Sequence, residues 1–297
     1  MKHFRPLLIP LAAIALAVSC GPDIKQDNSG DEPWQWGSGS GSGSTDPVDP
    51  GVKFYPKPSG SLRIVTYNIG AFSKYLGNST DMVAAMMKEI EADAIGLNEL
   101  DSCNTRHNTN QVAALANALG NWQSRFGKAM DYRNGGYGNG VVTPKSMKIV
   151  DSYTVTLAKG SGSEQRSICV VETDKYVIGA AHLDHTSQDA STAQALAVNA
   201  WASSRYRDCE KPVFFVGDMN SEPGSQTISA LKGAWDVLSA TDNTYPSTAP
   251  VKCIDYIFHY KNSKAVKVTG SNVAVKFHTG EVNKASDHCP VYCDVQF

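Results

Sequence analysis

The sequence predicts an α/β fold, a four-layer sandwich of two packed mixed β-sheets flanked by helices. From Leu62 onward, apolar runs of strand length alternate with segments that have helical apolar spacing. Several runs are apolar throughout, such as IVTY and VFFV, which is typical of strands covered on both faces. No second linker and no internal repeat interrupts this part, so we expect one large domain.

The helices and strands follow from local patterns along the domain. Thr80 or Asp81 is a plausible N-cap for the first helix, and Gly120 ends the second. We predict helices at 81–91, 111–119, 191–206 and 225–232. The strands are predicted at 62–68, 94–99, 141–142, 148–157, 167–173, 177–182, 213–216, 254–259, 265–268, 273–277 and 290–295.

Residues 1–20 have the pattern of a bacterial export signal. Lys2 and Arg5 precede the apolar run 7–18, and small residues then lead to Cys20. This ending is similar to a lipobox, so residues 1–20 are predicted to be a lipoprotein signal peptide with lipidated Cys20 as the membrane anchor. An ordinary signal peptide is the alternative. The run is shorter than the roughly 20 residues of a membrane-spanning helix.

Residues 21–60 are predicted to be a flexible linker, because they are rich in glycine, serine and proline and poor in apolar residues. The catalytic domain is then expected at 61–297. Together these segments predict an exported protein, lipid-anchored in the bacterial cell envelope and monomeric. Whether it faces the periplasm or the outside stays open.

Net charge lowers the expectation of a nucleic-acid partner. The formal net charge is −2 and the pI is about 6.4. Proteins that bind DNA without sequence preference usually present a strongly cationic face. A nucleic-acid substrate therefore remains open but is not favoured.

The stretch VFFVGDMN carries the first candidate catalytic pair, Asp218 and Asn220. Residues two apart on an extended backbone point the same way. One carboxylate can accept a proton from water while the neighbouring amide donates to a phosphoryl oxygen. An ordinary turn rich in Gly, Asp and Asn is the alternative interpretation.

Other strand ends carry further polar groups. Asp287 and His288 follow each other in ASDHCPV, and Asp255 begins an apolar strand from which it could orient the imidazole. Glu99 and Asn68 each close a predicted strand and offer oxygen ligands of the kind that Mg²⁺ prefers.

A zinc site is a weaker hypothesis. His182-Leu183-Asp184-His185 has part of the His-x-His-x-Asp-His pattern of metallo-β-lactamases, but Ala180 stands where the first histidine would be. No cysteines lie in CxxC spacing, so a thiolate zinc site is not expected either.

Taken in order, TYN, the NE strand end, AHL, GDMN, IDYIF and SDHCPV resemble the endonuclease/exonuclease/phosphatase superfamily, which has the DNase I-like fold. The resemblance spans Leu62 to Val295. The stretches ELDSCNTR, GGYGNG, EQR and HLDH further resemble a secreted bacterial branch of metal-dependent hydrolases.

The resemblance implies a role for each matching residue. Glu99 would ligate Mg²⁺ or Mn²⁺, Asn68 would help to hold the metal or the substrate phosphate, and Asp287 would lie near the metal, directly or through water. Asp218 would activate the attacking water, Asn220 would stabilise the transition state, and His182 and His288 would flank the phosphate, with Asp255 orienting His288. Arg106 and Arg166 are phosphate-clamp candidates, with surface ion pairs as the alternative. Asn98 stands where the family commonly has Gln, and Ala181 where it has Thr.

The implied activity is hydrolysis of a phosphoester, either a phosphomonoester or a phosphodiester, and the substrate stays open. A nuclease, a sphingomyelinase-like phospholipase and a phosphatase for sugar or inositol phosphates are the enzyme alternatives. A cell-surface binding module that has lost catalysis is the alternative from another class.

Overall fold

The computed structural model describes residues 51–297, which form twelve strands and five α-helices. The helices are α1 (Thr80–Glu89), α2 (Gln111–Leu119), α3 (Gln188–Arg205), α4 (Gln226–Lys232) and α5 (Val282–Ala285). The first six strands are β1 (Leu62–Asn68), β2 (Ala94–Ser102), β3 (Trp122–Tyr132), β4 (Gly135–Pro144), β5 (Ile149–Leu157) and β6 (Arg166–Thr173). The others are β7 (Val177–His182), β8 (Val213–Asp218), β9 (Trp235–Val237), β10 (Asp255–Tyr260), β11 (Lys267–Val273) and β12 (Val291–Gln296).

The strands form two mixed sheets of six. One has the order β11-β12-β1-β2-β4-β3 and the other β5-β6-β7-β8-β10-β9. In the first sheet β1 and β2 are parallel, and in the second β7 and β8 are parallel; the other neighbours are antiparallel. Each parallel pair lies at the centre of its sheet. The carboxyl ends of its two strands therefore lie side by side, midway along the edge of the sheet where those strands end.

Three buried apolar layers give the predicted four-layer sandwich of two sheets flanked by helices. The layer between the sheets includes Ile64, Ile178 and Val216. A second cluster packs α1 and α2 against the first sheet, and a third packs α3 and α4 against the second. At Gly96 a Cβ would lie 2.2 Å from Val216 Cγ2, so this glycine allows the sheets to approach closely.

Several elements differ from the predicted ones: β9 and α5 were not predicted, and β4 and β11 extend beyond their predicted bounds. Strand β3 was not predicted because it is an edge strand, half-buried and partly polar, without a clean alternation. The predicted strand 273–277 is wrong, since β11 ends at Val273. Beyond it the backbone N–H groups of Val275 and Lys276 donate to the Tyr55 hydroxyl, and those of His278 and Thr279 donate to Glu89.

The last residues of the predicted linker contact the domain. Tyr55 packs against Tyr292, Phe54 stacks on His278, and Lys57 forms an ion pair with Asp93. The contacts of the folded part therefore begin before residue 61. The predicted signal peptide, Cys20 and most of the linker lie outside the described residues. No helix within 51–297 is long and apolar enough to cross a membrane.

Candidate active site

The strand registers bring the predicted polar groups to one edge of the sandwich. Asn68 ends β1 and lies opposite Asn98 of β2. In the other sheet Asp218 ends β8 and lies opposite both His182 of β7 and Asp255 of β10. The stacked sheets therefore present these ends side by side, as the strand-end pattern of the sequence predicted.

Glu99 occupies an irregular position in this edge. It does not close its strand as predicted, because β2 continues to Ser102 past a register shift between Leu97 and Leu100. Its φ of 58° is in the left-handed region, which non-glycine residues adopt only when surrounding structure enforces it. At this bulge Glu99 is left outside the backbone pairing of β2 with β4, and its carboxylate is partly exposed.

Asp218 is buried and held from several sides. Its Oδ2 accepts a hydrogen bond from Asn68 Nδ2 at 3.0 Å, and its Oδ1 accepts one from the Asn220 N–H at 2.8 Å. Both histidines approach Oδ2, with His182 Nε2 at 3.5 Å and His288 Nε2 at 3.6 Å. The carboxylate is thus fixed between an amide and two imidazoles.

Asn220 is placed by the turn that follows Asp218. Its φ is 48°, again in the left-handed region that Asn tolerates better than most residues. Its side-chain Nδ2 donates to the Leu183 carbonyl at 3.0 Å and it lines the cavity described below. One Nδ2 hydrogen is therefore used in this hydrogen bond to the backbone, which fixes the orientation of the amide.

His288 contacts the buried carboxylate of Asp255, its candidate partner. The distance from His288 Nδ1 to Asp255 Oδ2 is 2.9 Å. The same oxygen accepts a hydrogen bond from the Thr244 hydroxyl at 2.6 Å, which fixes the carboxylate in turn. The Tyr245 ring lies 4.9 Å from the imidazole. These hydrogen bonds leave His288 Nε2 directed toward Asp218.

The charges around the two histidines give them different protonation states. Burial disfavours the imidazolium, but the Asp255 and Asp218 carboxylates outweigh it and raise the pKa of His288 to about 10. Burial, followed by the Arg166 charge, lowers the pKa of His182 well below its usual value. Near neutral pH, His288 is therefore the charged donor and His182 is neutral.

Burial also raises the pKa of Asp218, and the nearby Asp255 charge adds to this effect. The His288 imidazolium opposes it only in part. A carboxylate that is costly to ionise is a stronger base than an exposed one, and such shifts cluster at functional sites.

The predicted metal residues offer hard oxygen atoms with unused capacity. Asp287 Oδ1 is buried and has no hydrogen-bond partner among the described residues, while its Oδ2 pairs with Lys74 Nζ at 2.7 Å. Glu99 Oε1 accepts from Asn68 Nδ2 at 3.0 Å. Carboxylate and amide oxygens of this kind fit Mg²⁺ or Mn²⁺, so the residues present fit such an ion.

Asp218, Asp255 and His288 are a second set whose donor atoms lie within 4.8 Å of one another. We disfavour them as a metal site because the imidazole lies between two carboxylates and carries its proton near neutral pH. A protonated imidazole has no free lone pair for a metal. This set is better suited to proton transfer.

The two candidate phosphate clamps have different environments. Arg166 is buried and lines the cavity; it pairs with Glu164 at 3.1 Å, and its Nε has no partner among the described residues. An unpaired buried donor costs about 1–3 kcal/mol. Arg106 instead binds the buried Asp101 through Nε and Nη2 at 2.7 and 2.9 Å. The structure therefore favours a phosphate contact for Arg166 and the ion-pair alternative for Arg106.

Asn98 is a positioning residue that the sequence prediction omitted. Its Oδ1 accepts from the Asp218 backbone N–H at 3.0 Å, and its Nδ2 donates to Asn139 Oδ1 and to the Ala181 carbonyl, both at 2.8 Å. It therefore ties the first sheet to β7 and β8. The amide beside the predicted metal ligand Glu99 was the available signal.

Most of the predicted site residues line one open cavity of about 790 Å³, whereas Asn68, Asp255 and Arg106 are not part of its lining. Its wall includes Glu99, Asp218, Asp287, His182 and His288, and Arg166 and Lys74 contribute cationic groups. Beyond the histidines it continues past His185 to the start of α3 and to the turn before α4. The arrangement can hold a phosphoryl group between cations, a carboxylate base and an imidazolium acid.

The model of the Endonuclease/Exonuclease/phosphatase family matches residues 65–288. No curated protein matches the chain significantly.

Solved structures share the fold at low identity. A Bacteroides thetaiotaomicron mannosyl-6-phosphatase has a TM-score of 0.67 at 19% identity, covering 80% of this chain and 100% of its own. A Bacteroides vulgatus endonuclease/exonuclease/phosphatase has a TM-score of 0.65 at 19% identity, with 80% and 99% covered. D. rerio TDP2 with a single-strand DNA product has a TM-score of 0.61 at 17% identity, with 80% and 99% covered.

Proposed function

The chain belongs to the endonuclease/exonuclease/phosphatase family, and on that premise we propose that it is a divalent-metal-dependent phosphoester hydrolase of the bacterial cell envelope. Members of this family are phosphoester hydrolases. The mannosyl-6-phosphatase with the same fold supports a phosphorylated small molecule as the substrate.

The observation that carries this proposal is the chain of groups Asp218, His288 and Asp255. It places a carboxylate with a raised pKa 3.6 Å from an imidazole whose own pKa is raised. Paired groups with opposite proton-transfer capacity are what hydrolysis by water requires. A binding-only domain has no need for such a pair.

In the proposed reaction Asp218 accepts a proton from a water molecule as its oxygen bonds to phosphorus. The bond from phosphorus to the ester oxygen breaks, and the leaving oxygen takes a proton from the His288 imidazolium. The products are the alcohol and the phosphate bearing the oxygen of water. Asn220 and Arg166 donate to phosphoryl oxygens as negative charge builds, which lowers the barrier.

Glu99, Asn68 and Asp287 would hold Mg²⁺ or Mn²⁺ beside this group. When bound, the cation would neutralise charge on the phosphoryl oxygens. Asn68 also donates to both Glu99 and Asp218, at 3.0 Å each. The same amide therefore fixes the distance between the proposed metal ligand and the proposed base.

For location, the sequence of residues 1–60 supports export, lipidation at Cys20 and a flexible connection to the membrane. Growth with a labelled fatty acid tests this part: label should appear in the chain and disappear in Cys20→Ser. An unlabelled chain would remove the anchor from the proposal without affecting the chemistry.

A panel assay tests the proposed activity. The full chain is incubated with Mg²⁺ or Mn²⁺ and p-nitrophenyl phosphate, bis-p-nitrophenyl phosphate, sugar phosphates, sphingomyelin or plasmid DNA. We expect hydrolysis of at least one phosphoester, loss in EDTA and recovery on adding the metal. Absence of turnover across the panel would favour the binding-module alternative.

A further inference from the structure

The cavity is longer than the phosphate site needs. From the buried Arg166 its wall extends to His185, which is exposed, and then to Gln188 and Ser191 in the first turns of α3. The proposed hydrolysis assigns no role to this extension. It begins at the phosphate-clamp candidate, so the alcohol part of a bound phosphoester can lie along it.

His185 is held in one tautomer by its neighbour. Its Nδ1 lies 3.1 Å from Arg166 Nη2. A guanidinium nitrogen can only donate, so Nδ1 of the neutral ring must accept and the proton must reside on Nε2. Arg166 thus fixes His185 as a donor through Nε2, next to the group that we expect to contact phosphate.

The wall beyond His185 carries small polar side chains. It includes Thr186, Ser187 and Gln188 at the start of α3, and Ser221 and Ser225 before α4. Within the described residues, the only large apolar or aromatic side chains in the lining are Tyr137, Tyr245 and Ile254. Such a surface solvates hydroxyl groups well and an acyl chain poorly.

The charge of the lining also disfavours a nucleic-acid strand. It has six carboxylate side chains against three lysine or arginine side chains. A groove for single-stranded nucleic acid needs a continuous positive track and exposed aromatic rings for stacking. A small neutral leaving group fits this balance better.

We propose that His185 is a specificity-determining residue that donates from Nε2 to a hydroxyl oxygen of the leaving group, and that the substrate is a phosphorylated polyol. This inference rests on the proposed function of the same cavity. Arg166 connects the phosphate site to the extension of the cavity. It contacts His185 through Nη2, and its Nε has no partner within the described residues.

The test compares two phosphomonoesters with primary-alcohol leaving groups, glucose 6-phosphate, which is rich in hydroxyls, and n-hexyl phosphate, which has none. In the full chain with Mg²⁺, wild type should have the higher kcat/KM for glucose 6-phosphate. His185→Phe keeps a ring but loses the donor and should reduce that preference about tenfold, mainly through KM. His185→Asn, which restores a donor, should recover part of it.

His278→Phe is the matched control, since this exposed imidazole lies outside the cavity lining. The same preference in His185→Phe and wild type would overturn the inference, even with full turnover. Preferred hydrolysis of plasmid DNA or sphingomyelin over glucose 6-phosphate would also overturn it.

Calorimetry separates this inference from the proposed function. Each phosphate ester is titrated into the full chain carrying Asp218→Asn, with and without His185→Phe. Tighter binding of glucose 6-phosphate that depends on His185 supports the inference whether or not wild type shows turnover. Equal binding of both esters contradicts it.

Discussion

Buried ionic groups lie at two places in the domain, and the two are satisfied to different degrees. One is the end of β1 and β12 far from the cavity, where Arg63 meets Asp294, and the other is the cavity end of the sandwich. At the far end, Arg63 donates to Asp294 Oδ1 and Oδ2 at 2.7 Å each and to the carbonyls of Tyr55 and Ile90. At the cavity end, Asp287 Oδ1 and Asp255 Oδ1 have no partner within the described residues.

The difference indicates what each end is for. A buried charge needs compensation, and at Arg63 the protein itself supplies all of it. At the cavity end the compensation is incomplete, and burial of the Asp218 carboxylate accordingly raises its pKa. The far end therefore stabilises the fold, whereas the cavity end is arranged to be completed by a metal ion and a substrate.

The largest expected effect is on turnover at the cavity end. His288→Gln should lower kcat toward an alkyl phosphate by about 10²–10⁴, because the poor leaving oxygen loses its proton donor. The loss should be smaller for p-nitrophenyl phosphate, whose leaving group is weakly basic. Steady-state rates for both esters measure this, with His278→Gln as control. Equal losses for both esters would exclude His288 as the acid.

At the far end the expected effect is on stability. Arg63→Met leaves Asp294 buried without its partner and should lower the free energy of unfolding by about 3–5 kcal/mol. Urea denaturation measures this, and the folded fraction should retain the wild-type kcat. Arg63→Met combined with Asp294→Leu should recover part of the loss. A loss of kcat in folded Arg63→Met would show that the Arg63–Asp294 pair affects the reaction as well as stability, contrary to the proposed division of roles.

Metal affinity is the next prediction. Asp287→Asn replaces a buried oxygen that has no partner with a neutral amide and should weaken Mn²⁺ binding about 10–100-fold. Calorimetric titration of the full chain measures the affinity, and Asp236→Asn, whose carboxylate is 58% exposed in β9, is the matched control. Unchanged affinity in Asp287→Asn would remove Asp287 from the metal site.

The smallest expected effect is on pH dependence. A pKa of His288 raised to about 10 in the folded chain contributes stability that is fully present below about 6.5 and is lost as the pH rises through 10. In EDTA, the difference in Tm between wild type and His288→Gln should therefore shrink from pH 7 to pH 10. The Arg63→Met difference should not follow this trend, because a guanidinium does not titrate there.

The sequence predicted the bounds of a helix or strand best where a local residue marks the end of that element. The bounds of β1, α2 and β7 are confirmed, since a polar residue or glycine stops each apolar run. The start of α3 was placed three residues late because its cap, Ser187, precedes the apolar spacing and accepts from the Ala190 N–H. Of the three missed residues, Gln188 lines the cavity.

Tertiary contacts account for what the sequence could not predict in the site. Arg106 and Arg166 follow equally polar neighbours, but only the fold shows that Asp101 binds the first while the second faces the cavity. His185 was considered only for zinc, and its contact with Arg166 spans 19 residues. The roles assigned to the strand-end residues stay predictions that the variants above test.

The proposed hydrolysis depends on Asp218 as the base that activates water, so the kcat of Asp218→Asn should be measured beside wild type in Mg²⁺, with Tm recorded on the same samples. We predict a loss of about 10²–10⁴ in kcat with no decrease in Tm, since burial disfavours the charge that the substitution removes. Wild-type turnover by a folded Asp218→Asn would exclude Asp218 as the base.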